Sequence, residues 1–298
     1  MTTPAAMAMV MTMATRDAAW SATTLAAMKL LGDQWHGEWI QVNDTDAAQV
    51  EHCPAQSVDA SWPGWSSPLA ARQVGLAALR TGIVDPRAAV REAIGELVRI
   101  GDADRERQRV QDWVASLTRA ARLDVADEAV RWLVAWRSVN PVPQESWVVD
   151  GGSTRISVGP NVSVRAAIDL LVKEAGSGDY VAHVSVSGSP GTADDEETAA
   201  RLAAVLWLAG RSVARVVVTH PASRTTRELR VDRDLVARGA DQLMSALRAR
   251  IDALNGRDVP PEIPGKQCRW CDRLARCETG QQFLADHPGF RGGLPVTG

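Results

Sequence analysis

Four cysteines constrain this 298-residue chain more than any other feature. Three of them, Cys268, Cys271 and Cys277, form a C-x2-C-x5-C motif in P-G-K-Q-C-R-W-C-D-R-L-A-R-C. The fourth, Cys53, lies more than two hundred residues upstream in E-H-C-P-A. No thiol is left over, so the pattern predicts one closed site that pins the two ends of the chain together. The N-terminal stretch is apolar but has no basic residues ahead of it, which argues against a secretory signal and for a cytoplasmic protein. In a reducing compartment disulfides are rare and metal ligation is the default use of clustered thiols. Thiolates are soft ligands that suit zinc or an iron–sulfur cluster. Zinc sites usually combine two close pairs of ligands, whereas a compact C-x2-C element with a remote partner is the commoner arrangement around a cluster. The expectation is therefore a 4Fe–4S cluster held by Cys53, Cys268, Cys271 and Cys277, with zinc or unligated buried thiols as the alternatives.

Charge narrows the partners. The net charge of −3 excludes a uniformly basic nucleic-acid binder, but the charge is uneven. Between Ala200 and Cys277 there are 15 Arg and Lys residues against 8 Asp and Glu. This third of the chain reads either as ordinary surface charge or as a phosphate-facing surface. On the second reading Arg201, together with Arg269 and Arg273 in the cysteine loop, are candidate nucleic-acid contacts. Trp270 could stack on a base. No run of 18 apolar residues exists, so no transmembrane helix is expected.

The pattern along the chain divides it into blocks. Residues 1–40 are poorly specified. A short helix capped by Thr45 or Asp46 is expected to end at Pro54. Residues from about 69 to 140 are helical, with one helix from about Asp104 to Leu123 and another placing Val130, Leu133 and Val134 on one side, flanked by Trp132 and Trp136. Residues 145–255 form the core. There, short β-branched runs split by Gly-Gly, Gly-Pro and Gly-Ser-Gly predict three or four antiparallel strands. A helix with acidic residues in its first turn, two further strands and a long amphipathic helix follow. The cysteine loop spans 264–280, and 283–298 is a tail. The whole is α/β (α+β), with 41–282 as one domain and a helical block inserted between Cys53 and the sheet.

These elements together resemble the RecB-like, iron–sulfur members of the PD-(D/E)XK nuclease superfamily, relatives of AddB and of the CRISPR-associated RecB-like nucleases. The cysteine tail and the Cys53-Pro54 pair carry the likeness, together with the order of elements from about 45 to 280. The resemblance implies a restriction-endonuclease-like core sheet flanked by helices and clamped by the cluster. It implies that Asp169, in V-S-V-R-A-A-I-D-L-L-V, is the metal-binding acid of the family. It also implies DNA as a partner, with a helicase or a repair or defence complex as a possible protein partner, and Mg²⁺ or Mn²⁺ if nuclease activity survives.

The departures are as informative. The family's next strand carries D/E-x-K, in which the acid completes the metal site and the lysine stabilises charge at the phosphate. Here that strand reads Y-V-A-H-V-S-V-S, placing His183 at the acid and Ser185 at the lysine. Arg201 and Val205 stand where the following helix would carry Q-x-x-x-Y. The helical block offers no histidine. One carboxylate binds Mg²⁺ poorly, because the ion requires several oxygen ligands. Relocated groups at Lys173 and Glu174, or at Asp194, Asp195, Glu196 and Glu197, are the remaining route to a rebuilt metal site. The expected function is DNA binding or scaffolding by a catalytically impaired nuclease frame. The alternatives are an active metal-dependent nuclease with a relocated site and an iron–sulfur redox sensor.

Overall fold

The computed structural model describes residues 19–43, 53, 66–99, 105–140, 147–174, 177–186, 191–256, 261–265, 268–269, 271 and 273–290. The expected helix after Thr45 and the indole of Trp270 lie outside the described residues.

A mixed sheet of six strands organises the chain. Its strands are β1 (Ile40–Asn43), β2 (Trp147–Gly159), β3 (Val162–Lys173), β4 (Tyr180–Ser185), β5 (Val213–His220) and β6 (Thr225–Arg230). β3 is the axis. One edge pairs antiparallel with β2, from Trp147 opposite Lys173 to Gly159 opposite Val162. The other edge is shared: β1 lies parallel along Val162–Arg165, and β4 lies antiparallel along Leu170–Lys173. β5 then runs parallel to β4, and β6 returns antiparallel to β5. The parallel β4–β5 pair needs a crossover, which a helix provides.

The helices are α1 (19–32), α2 (Ser67–Arg80), α3 (Pro86–Arg99), α4 (Arg105–Ser116), α5 (Arg119–Val139), α6 (Thr192–Leu208), α7 (Arg233–Leu254) and α8 (Glu278–Asp286). One face of the sheet packs against α6 and α7, where Leu202, Leu206, Leu243, Leu247 and Ile251 are fully buried with Val164, Val216 and Val218. Gly239 permits the α6–α7 crossing: a Cβ there would sit 2.0 Å from the Ala200 carbonyl oxygen. The helical block packs on the opposite face at the far end of β3, where Leu170 and Val172 meet Leu133 and Trp136.

Several expectations are corrected. The runs W-V-V-D and T-R-I-S-V are one 13-residue strand, because Gly151 and Gly152 fall within register shifts and do not end the pairing. The runs from β2 to β4 pair antiparallel as expected, and β1 and β5, outside that reading, add parallel pairs to β3 and β4. The helix expected from Asp104 to Leu123 breaks after Ser116, and Thr118 caps a new helix by accepting the Ala121 N–H at 3.2 Å. Within that helix Val134 is 46 % exposed, and Val125, Ala129, Leu133 and Trp136 form the buried stripe. The poorly specified N-terminal segment supplies α1, whose Met28 is fully buried in the main core. The expected tail begins inside α8.

Candidate functional site

Two sites emerge: a buried polar centre between the sheet and the helical block, and the cysteine pocket.

A bulge builds the first. Residues alternate along β3, and Val162, Val164, Ala166 and Ile168 face the α6–α7 core. Strict alternation would then keep Leu170 with them. The β2 register instead advances two residues, from Asp150 to Gly152, while β3 advances three, from Leu171 back to Ile168. The extra residue in β3 turns Leu170 and Val172 toward the helical block and returns Leu171 to the α6–α7 side. Bulges re-aim side chains in this way beside functional sites. Asp169 sits at the irregularity, 2 % exposed.

Three groups address its carboxylate. Ser185, at the end of β4, donates its hydroxyl hydrogen to Oδ2. Arg72, from α2, brings a guanidinium nitrogen to 3.6 Å from Oδ1 and donates to the Ser185 carbonyl at 2.7 Å. The Trp136 indole N–H is buried beside the same group without closing a hydrogen bond. Burial raises the Asp169 pKa above the usual carboxylate range, and Arg72 and Ser185 offset part of that rise.

His183 stands apart from this trio. Its Nδ1 lies 3.3 Å from Asn140 Oδ1, and its ring is tilted against Trp136 with centroids 5.6 Å apart. Asn140 is 4 % exposed and donates to Thr219 Oγ1 at 2.9 Å and to the Trp136 carbonyl at 3.1 Å. Burial lowers the His183 pKa to about 4, so the ring is neutral at pH 7. The structure thus brings Asp169 and Ser185 into direct contact and engages His183 elsewhere.

The acidic run at the start of α6 does not converge on Asp169. Asp195 meets His220 Nε2 at 2.9 Å in a buried pair, Glu196 pairs with Arg227 at 2.7 Å, and Glu197 meets Arg238 and Gln242. Glu174 pairs with Arg215, which also binds Glu228 at 3.0 Å. Arg201, read as facing nucleic acid, is 6 % exposed and points to Gln242 Oε1 at 3.3 Å between α6 and α7.

The second site gathers the thiols. Cys53, Cys268, Cys271 and Cys277 line one pocket with Glu262, Pro264, Leu274 and Gly280. The sulfurs of Cys277 and Cys268 lie 3.3 and 3.4 Å from the point a Cβ on Gly280 would occupy, so glycine leaves room between them. Backbone N–H groups face the sulfurs: Gly265 reaches Cys268 at 3.4 Å, Gly280 reaches Cys277 at 3.2 Å, and Arg273 donates to Cys271. Cys277 is also the N-cap of α8. Burial raises the Cys271 pKa, the Arg273 N–H opposes this, and the nearness of Cys53, Cys268 and Cys277 raises it further. Burial raises the Cys277 thiol as well, with the Glu262 carboxylate adding to it. Arg273 pairs with Glu262 at 3.7 Å, a partner the sequence reading missed, and Arg269 is half-buried next to Cys268.

The donor set of this pocket is four thiols, which are soft ligands by their chemistry. Four thiols converge from both ends of the chain, and backbone donors stand ready for thiolate charge. Among the described residues no group of three or more His, Cys, Asp or Glu side chains is placed so that it could hold a metal ion.

Arg72 is another residue that the sequence pattern does not single out. It carries no motif, and it reaches Asp169 only because α2 packs over the end of β3.

No family model and no curated protein matches the chain. Eight chains of known structure match it. One of them, SSO0001, is 13 % identical, with a TM-score of 0.34 over 86 % of this chain and 95 % of its own.

Proposed function

We propose that this protein is a RecB-like, PD-(D/E)XK-type frame, clamped by a 4Fe–4S cluster, that binds DNA or scaffolds a repair, recombination or defence assembly without cutting. One observation carries the non-catalytic part: Asp169 is engaged by Arg72 and Ser185 and is 2 % exposed. A nuclease acid has to offer its oxygens to a divalent cation together with further oxygen ligands. Here a fixed guanidinium supplies the positive charge, and the position of the family's lysine holds a hydroxyl that donates to the acid. His183, at the second acid's position, is a neutral, half-buried ring.

Cys53, Cys268, Cys271 and Cys277 would hold the cluster. When bound it would supply a covalent link between the two ends of the fold, and its role on this reading is structural. The chain's own part is to present the four thiolates, meet them with backbone N–H groups and keep Gly280 small.

The test uses anaerobically purified full-length protein. We expect a brown sample with broad absorption near ~400 nm from thiolate-to-iron charge transfer. With Mg²⁺ or Mn²⁺ it should leave single- and double-stranded DNA intact. Cleavage that vanishes in Asp169→Ala would overturn the non-catalytic reading. A colourless protein containing zinc would overturn the cluster. Loaded protein that binds no DNA at any salt concentration would favour a redox sensor.

A further inference from the structure

The cysteine pocket has a wall that belongs to no helix or strand. Residues 261–265 run in irregular backbone ahead of Cys268, and Glu262, Ile263 and Pro264 line the pocket in succession. Their outer sides meet solvent: residues 261–264 are exposed, Ile263 by 44 %. Pro261 and Pro264 have no N–H to give to a neighbouring segment. A turn ties the far end, where Cys268 donates its N–H to the Gly265 carbonyl at 3.0 Å. Glu262 ties the near end.

The Glu262 carboxylate meets three residues of the pocket's other walls. Its Oε2 accepts the Thr279 hydroxyl hydrogen at 2.8 Å, from the first turn of α8. Its Oε1 lies 3.7 Å from the Arg273 guanidinium. The Cys277 thiol hydrogen-bonds the same carboxylate. Any one such contact at a partly exposed site contributes little. Together they join residues 261–265, the cysteine loop and α8 at a single point. The thiols beneath differ in access: Cys53 and Cys268 are buried, while Cys271 and Cys277 are partly exposed. All four line the pocket, yet among the described residues no three of them are placed to hold a metal ion. Filling the pocket therefore requires a wall to move.

We propose that residues 261–265 form a strap over the cysteine pocket and that Glu262 is its latch. With the carboxylate on Thr279, Arg273 and Cys277, the strap is closed and Cys268 is shielded. Release of the carboxylate lets the strap swing on the Gly265–Cys268 turn, and a thiophilic ion enters or leaves by that side. Local openings of this kind draw on exposed segments with few buried apolar contacts, and residues 261–264 are such a segment. The passage of metal rests on the cluster reading above; the strap and its latch do not.

Alkylation by N-ethylmaleimide tests this on the full chain as purified, with the adduct on each cysteine followed by mass spectrometry. Glu262→Ala should speed modification of Cys268 about tenfold, the scale of one or two net hydrogen bonds lost from a closed state. Cys271, already partly exposed, should change less. Thr279→Val should give a smaller rise at Cys268. Glu262→Gln, whose amide oxygen still accepts the Thr279 hydroxyl hydrogen, should stay near the wild type. Thr279 is exposed, so Thr279→Val carries the test should Glu262→Ala not fold. Unchanged modification of Cys268 in both Glu262→Ala and Thr279→Val would overturn the latch. So would an equal rise at all four cysteines with a matching fall in melting temperature, which marks loosening of the whole fold. Metal content of the same samples reports on the cluster reading separately. A chain holding neither iron nor zinc would overturn the passage of metal and leave the strap to be judged by the alkylation rates.

Discussion

The Arg72 guanidinium lies 3.6 Å from the Asp169 carboxylate, a contact between the helical block and the irregular point of β3. Its partners come from α2 and the sheet, with Asp169 buried and Arg72 half-buried. Breaking such a pair leaves the surviving charge without compensation, which costs more than the pair itself contributes.

Arg72→Met should therefore destabilise the fold by roughly 2 kcal/mol near neutral pH. The loss should grow with pH. Without the guanidinium the Asp169 pKa moves further above its unfolded value, and a raised carboxyl pKa penalises the fold increasingly as pH rises through and beyond the unfolded value. Urea denaturation at pH 5 and pH 8 measures this: a larger deficit at pH 8 is expected. A deficit that is equal or larger at pH 5 would show that Arg72 acts through packing alone. The double variant Arg72→Met with Asp169→Asn should recover part of the loss.

His183 predicts the opposite pH dependence. Its folded pKa of about 4 lies below the ordinary value of 6.5 because the ring is buried. Between those values the unfolded chain binds the extra proton and the folded one does not, so stability falls as pH drops from about 6.5 toward 4. The span corresponds to roughly 3 kcal/mol at most. In His183→Gln, which can still hydrogen-bond Asn140, melting temperature between pH 4.5 and 7 should vary less than in the wild type. Equal slopes in the two proteins would assign the acid sensitivity to other groups.

Gly280→Ala should impair the cysteine pocket. The new methyl would stand 3.3 Å from the Cys277 sulfur and 3.4 Å from the Cys268 sulfur, tight contacts that push on two ligands at once. Bound iron per chain, measured on freshly purified protein, should fall by about half or more, and the melting temperature should fall with it. Full iron content would mean that the loop yields without loss.

Cys53→Ser tests the clamp itself. Replacing a thiol with a hydroxyl removes one soft ligand with almost no change in shape. Limited proteolysis should then cut within the C-terminal segment carrying α8 much faster than in the wild type, since Cys277 both lines the pocket and caps that helix. Unchanged cleavage would make Cys53 dispensable for holding the segment.

Much of the frame can be read from local pattern. α6 and α7 are legible because apolar residues recur on one face and because Asp232 marks the start of α7, where it accepts the Leu235 N–H at 2.8 Å. β5 and β6 are legible because V-A-R-V-V-V-T-H and T-T-R-E-L-R are bounded by turn residues. The cysteines are legible because ligand spacing is chemical and needs no fold to be noticed. What escapes is set by pairing at a distance. The glycines within β2 read as a turn until a long neighbouring strand holds them in register. β1 is four residues long and owes its existence to the open edge of β3. Asp169 could be singled out by its place in a strand, but the bulge that aims it belongs to the register of two strands. Its arginine partner lies in a helix whose sequence gives no sign of the contact.

The shared edge of β3 has a consequence for how the molecule is made. β1 can pair only after more than a hundred later residues have been synthesised, because its parallel partner begins at Val162. Cys53 follows β1 and must wait longer still, until Cys277 has left the ribosome. The first of the four cysteines to be translated is thus among the last to find its place. Assembly of the pocket therefore waits on the C-terminal cysteines: a protein truncated anywhere before Cys277 would lack one of the four thiols that line it.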